Sequence, residues 1–212
     1  MPCTINASIT STGLIHSADA TGVLNLQTNG SNALTVNANA NVTVNNSLFV
    51  SGNSVQPLVL ATQQTASGSS VDFTGIPSWV KRITLTGVGI SFAAAGGGAG
   101  EVRIGSGSLL SSGYTTRIAT ITNAVAPSIQ TSTTSMAAFV TSTAAATVSG
   151  MCVLVLNDAT ANTWVATTTT NRSDGLIQQY IGSVSLSGVL DRISLVATTS
   201  TFDAGSVNIL YE

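Results

Sequence analysis

From Pro57 to the C-terminus the chain alternates apolar and polar residues with period two, in runs closed by Gly, Asn, Asp and Ser. The runs include "PLVLATQQT", "SVDFTG", "VKRITLTGVGISF", "EVRIG", "YTTRIATIT", "SMAAFVTS", "VSGMCVLVLND", "NTWVATTTT", "QQYIGSVSLSG", "DRISLVATT" and "SVNILYE". Threonine, valine and isoleucine dominate them, and no i, i+3, i+4 stripe persists beyond one turn, so the predicted elements are strands. Roughly ten strands at this spacing predict an antiparallel β-sandwich of jelly-roll kind, large enough to bury its own core. "MCVLVLN" is apolar on both faces, which places it at the centre of a sheet or against a neighbouring subunit. Gly87 and Gly89 in "LTGVGIS" predict a bulge or a close approach of another backbone. "GIPSW" predicts a turn at Pro77. "AAAGGGAG" (93–100) reads as a flexible loop; it is no phosphate cradle, since no Lys-Ser/Thr follows and the next residues form a strand.

Before Pro57 the alternation is shorter. Apolar residues recur at i, i+2: Val23, Leu24 and Leu26, then Leu34 and Val36, Val42 and Val44, Leu48 and Val50. Each pair puts two apolar side chains on one strand face, and "TNGSN", "NANAN", "NN" and "SGN" supply turn residues between them. Such segments bury too little per chain to offset about 1–2 kcal/mol of backbone entropy per residue. Three chains wound about one axis close the one-sided stripes into a core and pair the open strand edges. The same composition also suits a disordered Asn/Ser/Thr-rich tail; the recurring apolar pairs speak against it. The expectation is two regions, an N-terminal attachment and β shaft region over 1–56 and a C-terminal β-sandwich over 57–212.

Composition sharpens this boundary. Charged residues are 7% of the 212 residues, against about 25% in ordinary soluble chains, and Asp19 is the only one of them before Asp72. A net charge of -2 without a basic cluster argues against nucleic acid as a partner. Mean hydropathy is +0.41, yet the best apolar run, "MCVLVL", is far short of the roughly 18 residues a membrane span needs, so no membrane insertion is expected. "MPCTINASITST" has no basic stretch leading into an apolar one, so synthesis and assembly are expected in a cytoplasm. Cys3 and Cys152 offer no disulfide framework, and Cys152 reads as a small buried hydrophobe.

Candidate chemistry is sparse. His16 is the only histidine, and Cys3, His16 and Cys152 lack metal-site spacing, so no metal or cofactor is expected. Asp158, Asp174, Asp191 and Asp203 each sit among turn residues, where a carboxylate most often bonds nearby amides; a glycosidase pair or a calcium site is the competing reading. The best-furnished loop is "TTTTNRSDGLIQQY" (167–180). Arg172 and Asp174 offer directional polar bonds there, while Tyr180 and nearby Trp164 offer rings that stack on an apolar sugar face. These four are the candidate receptor-binding residues. The competing reading makes Trp164 core and Arg172–Asp174 a solvated pair.

"ASGSSVDFTGIPSWVKRITLTGVGIS" (66–91), "RIGSGSLLSSGY" (103–114) and "LSGVLDRISLVATTSTFDAGSVNILYE" (186–212) resemble the C-terminal β domain of bacteriophage and prophage tail-fibre or other virion surface proteins. "ATGVLNLQTNGSNALTVNANANVTV" is similar to the shaft segments that precede such domains. The resemblance implies a homotrimeric, non-enzymatic virion surface component, contacting other virion proteins through its N-terminal region and a host cell-surface glycan or protein through its knob. Tail fibres carry longer shafts than this sequence, so a capsid fibre, a spike or a head decoration protein stands beside the tail-fibre reading.

Overall fold

The computed structural model describes residues 21–28, 30–44, 48–50, 53–122, 126 and 128–212. His16, Cys3 and Asp19, named above, lie outside the described residues. The fold is all-β: among the described residues every regular element is a strand, and all named strand pairs are antiparallel. The chain divides into two compact units, Met1–Val55 and Gln56–Glu212.

In the first unit β1 (Leu24–Thr28), β2 (Ser31–Val36) and β3 (Val42–Val44) form a three-stranded meander, and β4 (Phe49–Val50) pairs with β5 (Asn53–Ser54). Register decides its character. Leu24, Val36 and Val42 lie in one cross-strand row, and Leu26, Leu34 and Val44 in the row two residues on. These six side chains therefore share one face. The other face is polar: Asn25 Oδ1 accepts from Thr35 Oγ1 at 2.8 Å and from Asn32 Nδ2 at 3.0 Å, and Gln27 Nε2 donates to Asn32 Oδ1 at 2.8 Å. The β2–β3 turn is held by Asn37, whose Oδ1 accepts from the backbone N–H of Asn39 and Asn41. That bonding is why asparagine punctuates this stretch.

The second unit contains β6 (Val59–Leu60), β7 (Gln64–Thr65), β8 (Ser70–Thr74), β9 (Arg82–Phe92), β10 (Ala99–Ser106), β11 (Ser108–Leu109), β12 (Thr115–Ile121) and β13 (Ser128–Ser132). It continues with β14 (Ala137–Val140), β15 (Val148–Asp158), β16 (Thr163–Arg172), β17 (Leu176–Ser185), β18 (Arg192–Ala197) and β19 (Phe202–Tyr211). One sheet runs β11-β10-β18-β8, with β14 on β10. The other runs β13-β12-β17-β16-β15-β9-β19-β6, with β7 on β19. The chain passes back and forth between them, which leaves β8-β18-β10-β14 in jelly-roll order; the β16–β17 hairpin widens the opposite sheet between β15 and β12.

The sheets pack face to face. Phe139 of β14 is fully buried and its ring lies against Gly87 of β9, while Phe92 and Phe202 of the larger sheet stack with centroids 5.0 Å apart. Ile83, Leu85, Val102, Ile104, Leu154, Ile193 and Leu195 complete the middle of this core. "MCVLVLN" is β15, flanked on both sides within the sheet, and Cys152 is fully buried. The glycine pair in β9 does make a bulge: the β9–β15 register skips between Val148 and Gly150, opposite Gly89 at φ +63°, whose N–H donates to Ser149 Oγ at 2.9 Å. Gly87 instead meets the Phe139 ring. "AAAGGGAG" differs from the expected flexible loop: Gly97 and Gly98 are buried where a Cβ would stand 2.5 Å from the Thr141 carbonyl oxygen and the Phe92 ring, so these glycines serve close packing.

Candidate functional site

The β16–β17 hairpin carries the four residues singled out for recognition. Its turn closes with Gly175 N–H donating to the Arg172 carbonyl at 3.0 Å, and Gly175 takes φ +90°. Arg172 Nε donates to Asp174 Oδ1 at 2.6 Å, and Ser142 Oγ donates to Asp174 Oδ2 at 3.3 Å. The Arg172 hydrogen bond holds the Asp174 carboxyl below its ordinary range. Ser173 Oγ accepts the Thr147 N–H at 3.0 Å, which fastens the turn to the segment before β15. Arg172 and Asp174 thus form a polar tip.

The two aromatic rings are elsewhere. Trp164 and Tyr180 are each 2% exposed, inside the core between the sheets. The expectation that they offer stacking faces is corrected: inward positions of β16 and β17 alternate with outward Val165, Thr167 and Ile181, and the pleat sends both rings inward. Trp164 also lies eight positions from Arg172 along β16, roughly 27 Å at strand rise. Tyr180 Oη donates to Gln178 Oε1 at 3.0 Å, and burial pushes its pKa up. Trp164 lines a cavity of about 40 Å³ with Ser78, Lys81 and Asn162, and its Nε1 has no protein acceptor. That volume suits one water molecule.

The carboxylates go to separate local tasks. Asp158 Oδ1 accepts the Thr160 and Ala161 N–H groups at 2.7 and 3.1 Å and so shapes the β15–β16 turn. Asp191 accepts the Gly107 N–H and pairs with Arg192 at 2.8 Å, a hydrogen bond that lowers its pKa. Asp203 accepts from Ser91 Oγ. Among the described residues no group of three His, Cys, Asp or Glu side chains gathers around a metal-sized position.

Concavities are shallow. One, of about 280 Å³, runs between β8 and the β6–β7 segment and is lined by Thr62, Gln64, Asp72, Thr74 and Tyr211. Two of its polar groups are engaged: Gln64 Nε2 donates to the Asp72 carbonyl at 2.8 Å, and the Asp72 carboxylate accepts from Ser70 and Ser194 hydroxyls. Trp79 stands behind Tyr211, ring centroids 5.9 Å apart. No protein-family model, curated protein or solved structure matches this chain.

Proposed function

We propose that the chain is a structural, non-enzymatic protein of a bacteriophage virion surface. It is a homotrimeric fibre or spike: residues 1–56 attach to other virion proteins and wind into an intertwined β shaft, and residues 57–212 form an outward-facing knob that meets a host cell-surface glycan or protein. It is made and assembled in the cytoplasm of the bacterial host.

The observation that carries this reading is the N-terminal meander. Six apolar side chains in register occupy one face, yet none of the six is buried; Leu26 is 50% exposed and Val42 60%. A sheet with one complete apolar face and no core under it is half of a structure. Copies of the same meander supply the other half, and a threefold arrangement closes the stripe on itself without leaving an open end.

A second reading, a head decoration or head-fibre protein that stabilises the shell without binding a receptor, is favoured by the burial of Trp164 and Tyr180. The hairpin tip retains polar groups but lacks an exposed ring for a sugar face.

Light scattering at low micromolar concentration tests the assembly: a trimer mass is expected, and a folded monomer overturns it. Gold-labelled antibody on virions then separates tail from head placement, and labelling of neither overturns the virion assignment. Binding of the purified protein to host cells distinguishes attachment from decoration.

A further inference from the structure

The outer face of the nine-stranded sheet is unlike the rest of the surface. One cross-strand row runs Thr84, Val153, Thr167, Ile181 and Arg117; its neighbour runs Met151, Thr169, Gln179, Ala119 and Ile129. Across these ten positions there is one charge, Arg117, toward one margin, and the Arg82–Glu212 pair at 2.9 Å stands toward the other. Ile181 is 65% exposed, Ile129 76%, Met151 50% and Val155 45%. Between β12, β13 and β17 the surface dips into a depression of about 120 Å³ lined by Arg117, Ala119, Ile129, Gln179 and Ile181.

The opposite face of the sandwich carries charge instead. Outward positions of the five-stranded sheet hold Asp72, Glu101, Arg103 and Arg192, with Arg103 Nη2 donating to Glu101 Oε2 at 2.6 Å. In a chain with so few charges they gather on that side, partly covered and paired with one another and with hydroxyls of Ser194 and Thr134.

We infer that the outer face of the nine-stranded sheet is covered by a second copy of this chain. Size and composition both select that occupant. From β19 to β13 seven strands lie side by side, a width of roughly 29 Å; with about 20 Å along the strands, the patch is on the order of 600 Å², within the range each partner contributes to a stable interface. Transient interfaces are about as polar as ordinary surface, whereas permanent ones between copies are depleted of charge at their centre. A field mostly of Thr, Val, Ile and Ala whose ten positions hold a single charge, Arg117 beside the depression, is of the second kind, and the depression takes an apolar side chain of about valine or isoleucine size. This inference deepens the trimer reading and rests on it, but it concerns a surface separate from the N-terminal meander.

Methionine oxidation reads the face directly, because Met151 is half-exposed in the single chain and Met136 is fully buried within it. The full-length protein is exposed to hydrogen peroxide and sulfoxide is followed peptide by peptide, with native mass spectrometry giving the assembly mass. Met151 is expected to oxidise as slowly as Met136 in the assembled wild type. Ile181→Lys, checked for an unchanged far-UV circular dichroism spectrum, is expected to speed Met151 oxidation about tenfold or more. An oligomer whose Met151 oxidises as fast as in urea overturns this face assignment and leaves the trimer standing; a folded monomer overturns both. Unchanged protection of Met151 in a folded Ile181→Lys variant also overturns the assignment. The wild-type measurement decides even if that variant does not fold.

Discussion

Gly87→Ala is the sharpest probe of how the two sheets are mated. A Cβ built on Gly87 would lie 2.7 Å from Phe139 Cε1, 3.1 Å from Cζ and 3.2 Å from Cδ1. Its backbone is not in the left-handed region, so the cost is one of space alone. Carbon atoms attract best at about 3.5–4.0 Å, and the ring, fully buried, has no free volume to retreat into. Overpacking of this kind costs about 1–3 kcal/mol. At roughly 2–4 °C per kcal/mol for a chain of this size, the thermal midpoint falls by several degrees. Phe139→Leu removes the ring atoms the methyl would meet, at less than the roughly 3–5 kcal/mol of a Phe→Ala truncation. In the double variant the clash is gone, so the two costs do not add: a coupling of about 1 kcal/mol or more is expected in urea unfolding followed by tryptophan fluorescence at fixed protein concentration. If the two costs add to within about 0.5 kcal/mol, Gly87 and Phe139 are not in contact and the face-to-face packing described above is wrong.

Cys152 is fully buried, and burial pushes its thiol from the ordinary 9.0 up to about 12. Native protein is therefore expected to resist iodoacetamide at pH 8 and to react once unfolded; rapid labelling of the folded chain would contradict the placement. The sign for stability follows, since a raised folded pKa gives a contribution that is full below 9.0 and is lost as pH climbs toward 12. At the hairpin tip the sign is opposite. The Asp174 carboxyl is held below 3.8 by Arg172, so its contribution is present above that value and lost as pH falls through the depressed one. Carboxyl titration by NMR is expected to show Asp174 moving back up in Arg172→Gln, and an unmoved midpoint would refute the pairing.

The strands of the sandwich are legible because their inward positions carry Ile, Leu, Val and Phe against outward Thr, Ser and Arg, as in β9 where Ile83 and Leu85 are fully buried and Arg82 is exposed. The side each residue takes is harder to read where both sides have the same letters. In "TWVATTTTNR" Thr168 and Thr170 are buried while Thr167 and Thr169 are exposed. Threonine offers a methyl to a core and a hydroxyl to water, so neither environment rejects it. That ambiguity misplaced Trp164 and Tyr180. Their nearness in sequence to Arg172 and Asp174 suggested one cluster, but a β-strand separates what sequence keeps together, and the pleat put both rings on the core side. The turn chemistry was easier, because an Asx side chain acts on its own neighbours: Asn37 and Asp158 bond amides within four residues of themselves.

Charge identifies the outer faces where hydropathy does not. Both outer faces of the sandwich carry small β-branched residues, and both belong to strands whose inner positions are apolar, so alternation ranks them equally. The difference lies in a few side chains: Asp72, Glu101, Arg103 and Arg192 on one, Arg117 alone across the ten central positions of the other. Leaving charge on a surface that must be dehydrated costs far more than leaving it off a surface that stays wet. A charge-poor chain can therefore set its two outer faces apart with very few substitutions. The N-terminal meander is subject to the same pressure: its apolar face holds Leu and Val while asparagine, uncharged and hydrogen-bonded to its neighbours, takes the polar face. Two separate surfaces, one in each unit, thus carry the pattern of dehydrated sheet faces, and the oxidation of Met151 distinguishes the sandwich face from the meander as the place where copies meet.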